Sequence, residues 1–240
     1  MNQLSILKKQ IRSHADPIRA KNSLWFFKTG KGDYGEGDKF FGLKVPDCRK
    51  ISKLFKDLDY PELDELIRSK YHEERLIALF ILVLKFDKAD EKERAKIYKF
   101  YLAHTKWINN WDLVDQSAPR ILGKYLLGRT SEKDRGILFK LAKSKSLWER
   151  RITIISTLAF IKLADEYETT LALAEILLHD KHDLIQKAVG WMLREVGNRS
   201  IPAESAFLKK HYKTMPRTAL RYAIEKFPEE IRQGYLRGNI

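Results

Sequence analysis

Apolar residues recur along this chain at intervals of three and four, the spacing of one face of an α-helix. Leu4, Leu7, Ile11 and Ala15 mark a first helix, and Leu24, Phe26 and Phe27 close a second. The same spacing then predicts helices over 46–57, 60–70, 73–86, 91–104, 110–127, 131–144, 147–163, 166–179, 182–197, 202–213, 216–227 and 229–236. Asp90, Asn110, Thr130 and Ser131 stand where a helix needs side chains to accept from its first free N–H groups. Short polar joints make successive helices antiparallel neighbours. The pattern breaks once. Thr29 to Gly42 holds five glycines in fourteen residues, which no helix tolerates. Alternating glycine and charge between aromatic flanks fits a loop or a short β-hairpin at about 29–43. Pro46 then opens the next helix, where a missing N–H costs nothing.

A weak internal similarity organises the helices. Glu74-Arg75-Leu76-Ile77 is echoed by Glu149-Arg150-Arg151-Ile152 and by Ile185-Gln186-Lys187-Ala188. Arg75 and Arg151 are 76 residues apart, two units of about 38, and Arg151 and Lys187 are 36 apart. The expectation is an all-α fold: a curved superhelical stack of HEAT-like antiparallel helix pairs, forming one domain over 1–240. An irregular helical bundle is the plainer alternative. In a curved stack the second helix of each pair lines the inner wall, and the helices beginning Glu-Arg, Glu-Arg-Arg and Gln-Lys would make that wall cationic.

Charge gives the wall a partner. Lys and Arg number 46 and Asp and Glu 32, a formal net charge of +14. A field of that sign attracts polyanions, nucleic acid before membrane, although a solvated charged surface has the same composition. The single cysteine, Cys48, excludes an internal disulfide and fits a buried thiol in a reducing compartment. The N-terminus has no apolar signal stretch, and the apolar run from Leu76 to Leu84 is too short to span a bilayer. A cytoplasmic, nucleoid-associated protein without membrane contact is expected. There is no phosphate loop, no HExxH and no Cys/His cluster, so neither metal nor cofactor is expected.

The chemically informative stretch is Lys106 to Ser117. Trp111 and Asp115 are four apart, so a helix places them on one face. An indole face and a carboxylate side by side can stabilise a developing cation. Taken alone, the same residues fit a core tryptophan and a capping arrangement of Asp112 with Asp115. Two further clusters share the composition: Trp148 with Arg151, and Lys187 with Trp191 and Arg194. Each falls near the start of an inner-wall helix.

The segments W-x3-W-D-x-V-D at 107–115, L-W-x-x-R at 147–151 and I-Q-K-A-x-G-W-x-L-R-E at 185–195 resemble those of the AlkD-type alkylpurine DNA glycosylases. The likeness runs from about residue 45 to residue 227. It implies a stack of HEAT-like helix pairs that excises cationic N3- and N7-alkylpurines from duplex DNA. By position it implies that Asp115 is the catalytic carboxylate, that Trp111 and Trp191 flank the deoxyribose of the lesion, and that Arg151 holds a backbone phosphate. Lys187, Arg194 and Trp148 fall in the same segments and are expected at the DNA.

The N-terminal part departs from that pattern. A tyrosine of the glycosylases corresponds to about Phe26, so its hydroxyl is missing. The glycine-rich segment is longer and resembles the hairpin of homologues that bind branched DNA. Lys28, Lys31, Lys39 and Lys44 would place cations on it. Two expectations follow: a monofunctional glycosylase acting as a monomer on double-stranded DNA, or a binder of branched or distorted DNA with little or no catalysis.

Overall fold

Helix follows helix through residues 2–240, the part of the chain that the computed structural model describes, and no β-strand forms among the described residues. The all-α expectation holds. Most helices start where a side chain accepts from the first turn: Asn2, Asp16, Asp90, Ser131, Ser146 and Ser200 each do so. Asp59 and Glu62 form a reciprocal capping box. Of the expected caps, Thr130 yields its place to Ser131. Asn110 accepts from the N–H of Trp111 at 2.8 Å, while its carbonyl takes the first helical bond.

The chain divides into two units, Met1–Ser117 and Ala118–Ile240. The first contains α1 (Gln3–Ser13), α2 (Pro17–Phe26), α3 (Val45–Leu54), α4 (Tyr60–Ile67), α5 (His72–Lys88), α6 (Glu91–Ala103) and α7 (Trp111–Ser117). Its axis is α5, which packs against α3, α4, α6 and α7. The reason lies in its sequence. Leu76 to Val83 is apolar without a break and every residue of it is buried, so α5 is surrounded rather than laid on a surface. By contrast, α2 buries none of its residues.

The second unit contains α8 (Lys124–Leu126), α9 (Glu132–Ala142), α10 (Leu147–Ser156), α11 (Leu158–Ala164), α12 (Glu168–Leu177), α13 (Asp183–Gly197), α14 (Ile201–His211), α15 (Arg217–Ala223) and α16 (Glu229–Arg237). Here helix pairs stack: α9 and α10 pack together, α12 and α13 pack together, and α9 meets α12 while α10 meets α13. The next pair continues on α13 through α14 and α15. Gly190 is what lets α15 approach. A Cβ at that position would lie 2.3 Å from the Ala219 carbonyl oxygen, so no larger residue fits without parting the helices.

Two helices expected to be continuous are broken. The span 110–127 is interrupted by a π turn at Pro119–Gly123, where proline offers no N–H and Gly123 donates to Ala118 at 2.9 Å, five residues back. The span 147–163 breaks at Thr157, between α10 and α11. The Ser156 hydroxyl donates to the Ile152 carbonyl at 2.6 Å and the Thr157 hydroxyl to that of Ile154 at 2.7 Å, bonds that bend a helix.

Of the two forms open to the glycine-rich segment, the structure shows the loop. Successive turns run from Phe27 to Gly37, and the only β-type pairing among the described residues is one isolated bridge between Lys39 and Tyr71. Glycines at φ of +82° and +86°, Gly32 and Gly37, reverse the chain too often for paired strands to extend.

Candidate functional site

The loop is tied down by the first turn of α5. The Glu73 carboxylate is buried and accepts three backbone N–H groups, from Phe41 at 3.0 Å, Gly42 at 2.7 Å and Leu43 at 3.2 Å. Gly42 sits at φ +85°, and a Cβ there would meet the Asp16 carbonyl oxygen at 2.2 Å. One residue before Glu73, the His72 backbone donates to the Lys39 carbonyl at 2.8 Å. Arg75, expected on a cationic wall, instead turns inward. Its guanidinium is buried and donates to Asp38 at 2.7 Å and to the Ser69 carbonyl at 2.8 Å. A buried Asp38 in the loop needs a cation, and the Arg75 guanidinium is the nearer of two, with His72 at 3.6 Å.

His72 links this loop to α7. Its Nε2 lies 2.8 Å from Asp112 and its Nδ1 lies 3.6 Å from Asp38. Burial disfavours the imidazolium, but the Asp112 and Asp38 carboxylates outweigh it and raise the His72 pKa to about 9. Asp38 in turn is held below the usual carboxylate range: burial opposes this, and the His72 and Arg75 contacts prevail. Asp112 is therefore an interior carboxyl group with a structural partner.

Asp115 is the other carboxylate of α7. On α7 it stands one turn from Trp111, on the same face, and both are half-buried. The Trp111 indole is fixed from beneath by rings of α2 and the loop. Phe26 meets it edge-on at 5.8 Å between centroids, and Phe27 lies tilted to it at 5.6 Å. Phe27 itself stacks on Phe40 at 5.2 Å and on His72 at 4.8 Å. The position of the missing tyrosine is thus filled by a phenylalanine in direct contact with Trp111. The α7 face therefore presents an immobilised indole and a carboxylate one turn apart.

In the second unit, Arg151 and α13 come together. Arg151 is buried on α10, and its guanidinium donates to the Leu184 carbonyl at 2.6 Å, in the first turn of α13. Lys187 and Trp191 follow at one-turn intervals on α13, both half-buried. Lys187 pairs with Asp183 at 2.8 Å. The Trp191 indole N–H donates to Glu195 at 3.0 Å, which fixes the ring plane against its own helix. Arg194 is engaged by Glu225. Trp148, three residues before Arg151, is 8 % exposed and packs inside the unit.

The loop lysines face outward. Lys31 and Lys39 are exposed, the latter on backbone held by Lys70 and His72. Cys48 is buried, and burial pushes its thiol well above its ordinary pKa, so it is the structural thiol that the sequence predicts. No group of three or more His, Cys, Asp or Glu is placed to hold a metal ion among the described residues. None of the described helices is long and apolar enough to cross a membrane. The Asp38–His72–Arg75–Asp112 cluster is what sequence reasoning missed. Its one visible signal is the run His72-Glu73-Glu74-Arg75 at the head of a helix whose next stretch, Leu76 to Leu84, is apolar on every side.

Comparison with known proteins agrees with this architecture. The sequence profile of the DNA alkylation repair enzyme family matches residues 7–227. A solved structure described as a predicted DNA alkylation repair enzyme from Enterococcus faecalis superposes with a TM-score of 0.69 at 16% identity, over 90% of this chain and 98% of that one. At that identity the likeness establishes the fold. No curated protein matches the chain.

Proposed function

The chain belongs to the DNA alkylation repair enzyme family, and on that premise we propose that it is a monofunctional DNA glycosylase that removes cationic N3- and N7-alkylated purines from duplex DNA in base excision repair. The observation that carries this is the division of labour between two carboxylates on α7. Asp112 is bound inward to His72, whereas Asp115 shares its face with the Trp111 indole.

The chemistry suits that pair. An alkylated purine already carries positive charge, so its ring accepts the electron pair of the C1′–N bond as that bond breaks, and no strong general acid is needed. What must be stabilised is the oxocarbenium-like sugar left behind. The carboxylate of Asp115 opposes its charge and orients the water whose oxygen bonds to C1′, the displaced proton passing to Asp115 and then to solvent. The Trp111 face lies against the sugar and adds attraction to the cation. In this reading Trp191 supplies a second aromatic face. Arg151, Lys187 and Arg194 serve the phosphate backbone. These roles come from the motif match and from the proximity of Arg151 to the head of α13. The protein acts as a monomer and as one DNA-binding domain over 1–240, in the cytoplasm beside the nucleoid, without metal or cofactor.

The test is direct. The protein is incubated with a duplex carrying one 7-methylguanine, abasic sites are cleaved with alkali, and strand breaks at that guanine are expected. A second reading rests on the exposed Lys31 and Lys39 of the loop: binding of branched or distorted DNA with weak or absent excision. It predicts no breaks, and tighter binding of a four-way junction than of linear duplex at the same salt.

A further inference from the structure

The α2 helix is unusual in burying no residue while exposing large apolar ones. Ile18, Lys21 and Trp25 are spaced three and four apart and share one face. Trp25 is 84% exposed, against 55% for its neighbour Phe26. A tryptophan left so open on a helix has no packing role in the chain itself. Two open cavities meet at this pair. One, of about 650 Å³, is lined by Lys21, Asn22, Ser23, Trp25 and Phe26. The other, of about 600 Å³, is lined by residues that include Leu24, Trp25, Phe26, Lys28 and Asp33.

We infer that Trp25 and Phe26 form a stacking platform for an unpaired nucleobase of the bound DNA, with Lys21 and Lys28 on its flanking phosphates. The inference rests on the DNA reading above and adds to it a site for a base outside the helix stack. Three observations select this occupant. The flanks are cationic: Lys21 and Lys28 form no ion pair among the described residues, and Asp33 is the one acid lining either cavity. A purely apolar partner surface would leave those charges unanswered. The platform is also continuous with the candidate site, because Phe26 touches both the cavities and the Trp111 ring. Finally, an exposed aromatic face beside lysines is the combination that holds single-stranded bases, which offer a π face whatever their identity.

The experiment compares two duplexes of equal length, one fully paired and one with a single bulged thymine, by fluorescence anisotropy at one stated salt concentration. The wild-type chain is expected to bind the bulged duplex about tenfold more tightly. In Trp25→Leu the preference should vanish while the affinity for the paired duplex stays the same. Trp25→Phe should keep part of the preference. Circular dichroism of Trp25→Leu is expected to match the wild type, since the side chain supports no packing. Equal binding of the two duplexes by the wild type, or a preference that survives Trp25→Leu, overturns the inference while leaving the DNA reading standing. Failure to bind either duplex overturns both. Sedimentation as a dimer that Trp25→Leu dissociates also overturns it, because the platform then belongs to a second copy of the chain.

Discussion

The His72 Nε2 and the Asp112 Oδ2 lie 2.8 Å apart in the interior of the first unit, joining the head of α5 to α7 directly beneath Trp111. This pair makes stability depend on alkaline pH. The folded pKa of His72 is about 9, above its ordinary 6.5. The stabilisation is therefore complete below the unfolded value and lost as pH rises through the folded one, a loss on the order of 3 kcal/mol. Urea unfolding followed from about pH 6 to about pH 10 should show that decline. Asp112→Asn should unfold more easily, by about 3 kcal/mol or more, and lose the slope over the same window.

The loop should depend on Glu73 alone among the acids of α5. Its carboxylate satisfies three backbone N–H groups, so Glu73→Ala leaves all three without that acceptor, those of Gly42 and Leu43 in the interior. A destabilisation of about 3 kcal/mol is expected. Hydrogen exchange should locate it, with faster exchange at Phe41, Gly42 and Leu43 and unchanged protection in α13. Glu73→Gln, which keeps one acceptor oxygen, should lie between.

Glu204 carries a cost that can be removed. It is buried on α14, and burial raises its pKa to about 8 although Arg194 opposes the shift. A carboxyl raised above its ordinary 4.5 holds its proton longer in the folded state than in the unfolded one. Stability is full below the unfolded value and falls as pH rises to about 8. Glu204→Gln should therefore be more stable than the wild type at about pH 8, by on the order of 2–4 kcal/mol, and insensitive to pH across that range. Thermal unfolding at about pH 5 and about pH 8 measures both effects.

Two glycines inside helices should respond with opposite signs. Gly190→Ala drives a Cβ to 2.3 Å from the Ala219 carbonyl oxygen and should destabilise by about 2–3 kcal/mol, because α13 and α15 must part. Gly136→Ala, in α9, meets nothing within 4 Å and should stabilise by about 0.5–1 kcal/mol through helix propensity. Chemical denaturation of the two variants checks the pair.

Helix periodicity made most of the fold legible, because each apolar stripe had to find a neighbour. The breaks at Pro119–Gly123 and Thr157 were not legible. They arise from hydroxyl-to-carbonyl bonds and a five-residue hydrogen bond that an apolar pattern does not encode. The chemistry was half legible. Spacing put Trp111 and Asp115 on one face of α7, but taken alone the same residues also fitted a core tryptophan and a capping arrangement of Asp112 with Asp115. Only the fold separates them, through a histidine forty residues earlier in the chain. Arg75 was misread for the same reason. A cation at the head of a helix reads as surface until the loop that folds over it is known to contain Asp38.

The carboxylate assignment is tested most directly by single-turnover excision of 7-methylguanine from a duplex, comparing the wild type with Asp115→Asn. The account predicts excision by the wild type and a rate lower by about 100-fold or more in the variant, with duplex affinity unchanged. Equal rates from the two proteins, or a wild type that binds the duplex and releases no base, would contradict it.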